Sequence, residues 1–209
     1  MKTLHVKVRF LESILGTAPN NEEIYRDFIG GKAPDAPTVE EEIEAIGVTE
    51  YAEKGMTVFP KMKDGTPIIY DYQIKGFFKD ACGMLSRVSG KDENGKKKAA
   101  VNESGKLKAY KKVIDGLIFV NPRQIPFRFD GEMGICQRPL RAITMQGERT
   151  ALAMSEEIPA GATIEFDIVV FSDDLIPAVK EWLDYGKFRG IGQWRNSGKG
   201  KFVYELTES

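Results

Sequence analysis

The sequence has little of the chemistry on which most enzymes depend. Its 209 residues include one histidine, His5, and two cysteines, Cys82 and Cys136. A single histidine excludes a ribonuclease mechanism that pairs two histidines within one chain. Two cysteines form neither a disulfide framework nor a pattern with metal-ligand spacing. Both are predicted to be buried thiols in a reducing cytosol. His5 falls inside a predicted strand, where a structural role is expected.

Long apolar runs are also missing. No stretch approaches the roughly 20 apolar residues of a membrane span. Residues 1–10 alternate like a strand, where a signal peptide would have an apolar centre. The sequence contains no P-loop, no dinucleotide-binding fingerprint and no Ser-His-Asp set. These absences predict a cytoplasmic protein with no cofactor, no metal and no membrane partner.

The net charge of −1 hides a strong segregation of charge along the chain. Residues 21–53 contain ten acids and two bases, a net charge of −8, which leaves +7 for the remainder. A near-neutral total therefore permits a basic face beside an acidic insertion.

Hydrophobic periodicity predicts an α+β fold. The order of elements, without insertions, is strand, helix, strand, strand, helix, strand. These elements are residues 3–10, 74–88, 116–120, 162–171, 173–186 and 201–206. Such an order predicts a ferredoxin-like βαββαβ core, as in RNA-recognition motifs. The helix-free face of that sheet commonly receives single-stranded RNA.

The remaining segments are predicted to be insertions within one domain, residues 1–209. Residues 11–56 form an acidic helical insertion, with helices over 20–31 and 40–48. A β-hairpin turn is expected at Asp64–Gly65. Residues 88–106 form a flexible loop, and residues 131–161 hold short strands or a β excursion.

One stretch near the end, residues 188–202 and here called the glycine-rich segment, combines glycines with cations and contains no acid. A segment rich in glycine brings many backbone N–H donors close to a phosphate backbone. Trp194 either stacks on a base or fills the core beside Phe202. Gln193 and Asn196 either read base edges or hold the segment together.

Three stretches resemble the RAMP superfamily (repeat-associated mysterious proteins), whose members build the backbone and crRNA-processing subunits of CRISPR effector complexes. Residues 190–202, GIGQWRNSGKGKF, look like the family's glycine-rich loop before the last strand. Residues 66–82 resemble its strand–Lys-Gly–helix segment, with Lys75 and Gly76 on the Lys-Gly positions. Residues 137–142, QRPLRA, are similar to a basic patch that precedes a β excursion in some members.

The resemblance implies a non-catalytic protein that binds single-stranded RNA and associates with its own copies or with effector-complex subunits. It also implies a role in antiviral defence, and a stand-alone relative carried by a phage or mobile element fits the resemblance as well. The predicted RNA-binding residues are Lys75, Lys79, Arg138, Arg141, Lys187, Arg189, Gly190, Gly192, Gln193, Trp194, Arg195, Asn196, Gly198, Lys199, Gly200 and Lys201.

Two alternatives remain open at this point. An RNA endonuclease would need a cluster of carboxylates. The candidates, which show no diagnostic spacing, are Asp71, Asp80, Asp115 and Asp130. A protein-interaction or anti-defence module would instead use the acidic insertion to bind a basic partner or to mimic nucleic acid.

Overall fold

The computed structural model describes residues 1–20, 55–88, 102–144 and 147–208. Within these residues the protein is a mixed α+β structure, as the sequence predicts. The predicted acidic helices lie outside the described residues. The edges of that insertion need a correction, because Ile14–Leu15 and Ala18–Pro19 are short strands, and Ile14 and Leu15 are buried.

The central element is a four-stranded antiparallel sheet. Its strands are β1 (Lys2–Phe10), β6 (Ile118–Asn121), β10 (Thr163–Val170) and β11 (Phe202–Glu208). They lie in the order β11-β1-β10-β6. Leu4, Val6 and Val8 are fully buried, while the residues between them face solvent. This alternation is the period of two that identifies β1 in the sequence.

Two helices pack on one face of this sheet. They are α1 (Asp71–Leu85) and α4 (Ile176–Arg189). The bounds of α1 correct the prediction of a helix over 74–88, because the helix begins three residues earlier, at Asp71, and ends at Leu85. Gln73 explains the earlier start, since its side-chain oxygen accepts a hydrogen bond from the Tyr70 N–H at 2.8 Å. Such a bond satisfies one of the unpaired donors at a helix N-terminus.

A second sheet lies beside the first. It contains β2 (Ile14–Leu15), β3 (Ala18–Pro19), β4 (Thr57–Val58), β8 (Gly134–Thr144) and β9 (Gly147–Ile158). The excursion predicted over residues 131–161 is thus one long pair of strands rather than several short ones. β5 (Ile68–Tyr70) pairs with β7 (Gln124–Pro126), and the predicted turn at Asp64–Gly65 leads into β5.

Two short helices come next in the chain: α2 (Glu103–Lys106) lies at the end of the predicted flexible loop, and α3 (Tyr110–Leu117) follows it. The end of that predicted loop is wrong, because α2 is fixed to α4. The Oγ of Ser104 donates to a carboxylate oxygen of Glu181 at 2.5 Å and accepts the Nε1–H of Trp182 at 2.9 Å. Residues 89–101 of the loop lie outside the described residues. No helix in the described part of the chain is long and apolar enough to cross a membrane.

Candidate nucleic-acid interface

The glycine-rich segment is folded back on itself between α4 and β11. The N–H of Ile191 donates to the carbonyl of Gly200 at 2.9 Å, and the N–H of Gly200 donates to Ser13 at 2.8 Å. Gly200 has a φ of +71°, and a Cβ at this position would lie 1.9 Å from the Ile191 carbonyl oxygen. Only glycine fits this crossing of two backbone strands, so the segment is a tightly bonded structure and not a loose surface loop.

Asp80, on α1, holds two of the predicted phosphate contacts together. Arg189 Nε and Arg195 Nη1 donate to the same carboxylate oxygen of Asp80, at 3.0 and 2.8 Å. Arg189 also donates from Nη1 to Asn196 at 3.0 Å. One carboxylate thus fixes two guanidinium groups and leaves one positive charge in excess. We name this group, Asp80, Arg189, Arg195 and Asn196, the Asp80 cluster.

The pKa of Asp80 predicts a pH dependence of folding. Burial raises this pKa, but the hydrogen bond from Arg189 and the charges of both arginines lower it more, so it lies below its ordinary value of 3.8. The ionised carboxylate therefore stabilises the fold above pH 3.8, and this contribution is lost as the pH falls through the folded-state pKa. We expect Asp80→Asn to be less stable than the wild type at neutral pH, and the difference to shrink below pH 3.8.

Urea unfolding of both proteins between about pH 6 and about pH 3 measures this difference. A difference in the free energy of unfolding that stays constant through the acidic range would contradict the assigned role of Asp80.

Lys199 joins the segment to the second sheet. Its ammonium lies 2.6 Å from both the Ser13 hydroxyl and a carboxylate oxygen of Glu157 on β9. Ser13 also donates to that carboxylate. Among the described residues, Lys187 and Lys201 have no carboxylate partner. These two are the predicted RNA-binding lysines whose charge no neighbouring acid offsets in the described part of the chain.

Arg138 and Trp194 join the segment to β8. The guanidinium carbon of Arg138 lies 4.5 Å from the centroid of a Trp194 ring, and its Nη2 donates to Gln193 Oε1 at 2.9 Å. Trp194 is half-buried and does not fill the core beside Phe202, where the rings of Phe10 and Phe77 lie instead. The core alternative for Trp194 is therefore wrong. Arg141 also lies in β8, but its side chain is outside the described part of the structure.

Lys75 and Lys79 lie apart from this group. Both approach Asp115 on α3, at 4.0 and 2.6 Å, and Lys75 also lies over the Phe119 ring at 5.0 Å. Burial lowers the pKa of Lys75, against the raising effect of Asp115. Adjacent helical residues point about 100° apart, so Lys79 and Asp80 contact different neighbours. The structure does not bring these two lysines together with the glycine-rich segment.

The helix-free face of the central sheet carries charges of both signs. Lys7 pairs with Glu165 at 3.5 Å, and the His5 ring lies 2.8 Å from Asp167. The outward positions of β1, β10 and β11 hold no phenylalanine, tyrosine or tryptophan, and the exposed Phe119 lies on the edge strand β6. Base stacking on aromatic side chains is the usual mode of RNA recognition on such a face. On these three strands the aromatic ring at an outward position is the His5 imidazole, which lies against Asp167. The cations and the one partly exposed indole lie at the glycine-rich segment instead.

The candidate catalytic acids do not form a site in the described part of the chain. Asp80 is bonded to the two arginines and Asp115 to Lys79. No three histidine, cysteine, aspartate or glutamate side chains gather in a group suited to a metal ion among the described residues.

The acids that organise the candidate interface carry no recognisable pattern in the sequence. By residue type Asp80 is only a candidate catalytic acid, and no motif marks Glu157 or Ser13. Asp80 lies 115 residues from Arg195, and Glu157 lies 42 from Lys199. The short-range signal that could have suggested Asp80 is its place on α1 among apolar residues, where an acid needs a partner.

Comparison with known proteins finds no matching family model and no matching curated protein. Among solved structures, the chain is similar to one from the Type III-B Cmr-beta structure bound to cognate target RNA. The TM-score is 0.49 at 10% identity, and the match covers 99% of this chain but 60% of the other. A chain of the Type IV-B CRISPR complex matches with a TM-score of 0.46 at 10% identity, over 98% of this chain and 90% of that one.

Proposed function

We propose that the protein binds single-stranded RNA through the glycine-rich segment, without catalysing a reaction. The observation that carries the proposal is the Asp80 cluster. Arg189 and Arg195 are 24% and 27% exposed, so they are held in place while donors still reach solvent. Each guanidinium has five N–H groups in a planar fork that suits phosphate oxygens. The hydrogen bonds within the cluster use two donors of Arg189 and one of Arg195.

The fold supports the same proposal. The strand order β11-β1-β10-β6, with α1 and α4 on one face, is the order of a ferredoxin-like βαββαβ unit. We propose that the core is such a unit and that it is of the RAMP type. In that case the glycine-rich segment lies where the sequence resemblance places the family's loop, between the second helix and the last strand. RNA is proposed over DNA because of this resemblance.

Anisotropy of labelled single-stranded RNA, titrated with purified protein at several salt concentrations, tests the proposal. We expect the affinity to fall as the salt concentration rises. In a plot of the logarithm of the binding constant against the logarithm of the salt concentration, each phosphate contact should contribute about −0.7 to the slope. The double variant Arg189→Gln, Arg195→Gln is expected to bind at least about tenfold more weakly. Its control, Lys111→Gln, Lys112→Gln, removes two exposed charges from α3 and should bind like the wild type.

Absence of RNA binding at low salt would overturn the function. Equal losses in the two double variants would overturn the assigned site, because they would show a response to net charge alone. Single-stranded DNA of the same sequence, titrated in parallel, tests whether the sugar matters: equal affinity for both would restrict the function to general single-strand binding.

A further inference from the structure

Arg138 differs from the other arginines and lysines that contact the glycine-rich segment. It is 8% exposed, yet its Nε and Nη1 are buried and have no hydrogen-bond partner in the described part of the protein. Arginine is almost never buried to this degree unless it is paired. An unpaired donor buried away from water, here on a charged group, is strongly unfavourable. The arrangement is therefore incomplete as it stands.

The surroundings of Arg138 hold it in place without neutralising it. Gln193 accepts one hydrogen bond but carries no charge, and the Trp194 indole covers a face of the guanidinium at 4.5 Å. Arg189, Arg195 and Lys199 each lie against a carboxylate. No carboxylate pairs with Arg138 among the described residues. Three cations of the glycine-rich segment thus each contact an acid, whereas Arg138, beside the segment on β8, is fixed and desolvated and has no acid partner among the described residues.

A group that would complete this arrangement must be anionic and must accept several N–H bonds. A phosphate group meets both conditions, because its oxygens match the donors of a guanidinium. It is favoured over a protein carboxylate because Lys201 in the glycine-rich segment and Lys187 just before it have no acid partner among the described residues and attract a polyanion. The electrostatic attraction is also strongest where water is excluded.

We propose that Arg138, oriented by Gln193 and Trp194, binds one phosphate group of the RNA strand where β8 meets the glycine-rich segment. This inference rests on the proposed function and adds to it the residue that takes a phosphate out of water. On this proposal Arg138 lowers the stability of the free protein and raises its affinity for RNA. The two properties are separable by experiment.

The test compares Arg138→Met and Arg138→Lys with the wild type in thermal unfolding and RNA anisotropy. Methionine fills similar space without a buried charge, so its melting temperature is expected to rise by about 2–4 °C. RNA affinity is expected to fall about tenfold. Lysine should not restore binding, because a point charge lacks the guanidinium fork. Arg195→Met is the matched control, and it should lower the melting temperature, since it leaves Asp80 with one partner fewer.

Unchanged RNA affinity in Arg138→Met would overturn the inference while leaving the proposed function intact. If the wild type does not bind RNA, the proposed function fails. Titration with inorganic phosphate then tests anion binding at Arg138 independently of RNA. A change in Trp194 fluorescence that is lost in Arg138→Met and in Trp194→Phe supports an anion site, and no change overturns it. A response to polyglutamate alone would overturn the phosphate assignment in favour of an acidic protein partner.

Discussion

Replacement of Gly200 by alanine is expected to lower the free energy of unfolding by about 3 kcal/mol or more. Two effects act together at this residue. A side chain at φ +71° is strained, and its Cβ would lie 1.9 Å from the Ile191 carbonyl oxygen. The clashing atom belongs to the backbone, which cannot move away as the end of a flexible side chain can. Relief requires the two strands of the segment to separate, and this breaks the bonds from Ile191 to Gly200 and from Gly200 to Ser13.

Gly198→Ala is the matched control for this substitution. Gly198 also has a positive φ, +90°, but a Cβ there would meet only the end of the Lys201 side chain, at 3.7 Å. We expect a loss of about 1–2 kcal/mol, the cost of the left-handed conformation alone. Urea unfolding of the two variants measures the difference. Equal losses would show that the backbone crossing at Gly200 contributes nothing beyond the strain in φ.

Trp182→Ala is expected to cost about 3–5 kcal/mol, the range for truncating a large buried aromatic side chain. Trp182 is fully buried, and its ring lies 5.5 Å from that of Phe78 on α1. Its Nε1–H donates to the Ser104 hydroxyl at 2.9 Å. Truncation therefore opens a cavity between α1 and α4 and removes a hydrogen bond that anchors α2.

The control for Trp182 lies on the same helix. Phe188 is 71% exposed, so Phe188→Ala should change the free energy of unfolding by no more than about 0.5 kcal/mol. Chemical denaturation followed by far-ultraviolet circular dichroism reports both variants, because it does not depend on the tryptophan that is removed. A loss below about 1 kcal/mol for Trp182→Ala would mean that the helices close over the cavity.

The sequence predicts the central sheet well because its strands are buried on one face only. Leu4, Val6 and Val8 alternate with polar residues, and the same period runs through β10. The long pairing of β8 with β9 is not predicted, because Gly134, Pro139 and Gly147 interrupt the pattern. The strands are long because they pair with each other over eleven positions, and pairing is a tertiary property that local periodicity does not encode.

The candidate interface is predicted only in part. Glycines and cations in residues 188–202 indicate a binding segment, and their clustering is visible in the sequence. Whether a given cation is available for a ligand depends on acids distant in sequence. Asp80 pairs with Arg189 and Arg195, and Glu157 pairs with Lys199. Arg138, by contrast, lies buried with no acid partner among the described residues. These ion pairs form only when the chain folds, so the sequence alone does not distinguish one arginine from another.

The register of the two strands that flank the interface has a practical consequence. In the pairing of β1 with β11, Leu4 lies opposite Glu208 and Phe10 lies opposite Phe202. The glycine-rich segment enters β11 at the Phe202 end, which is about 20 Å along the strands from the Glu208 end. Lys2 and Glu208 lie together there, 3.6 Å apart. A fluorophore or surface linkage attached at either of these residues would therefore lie at the far end of the sheet and leave the candidate interface free for the RNA-binding experiments.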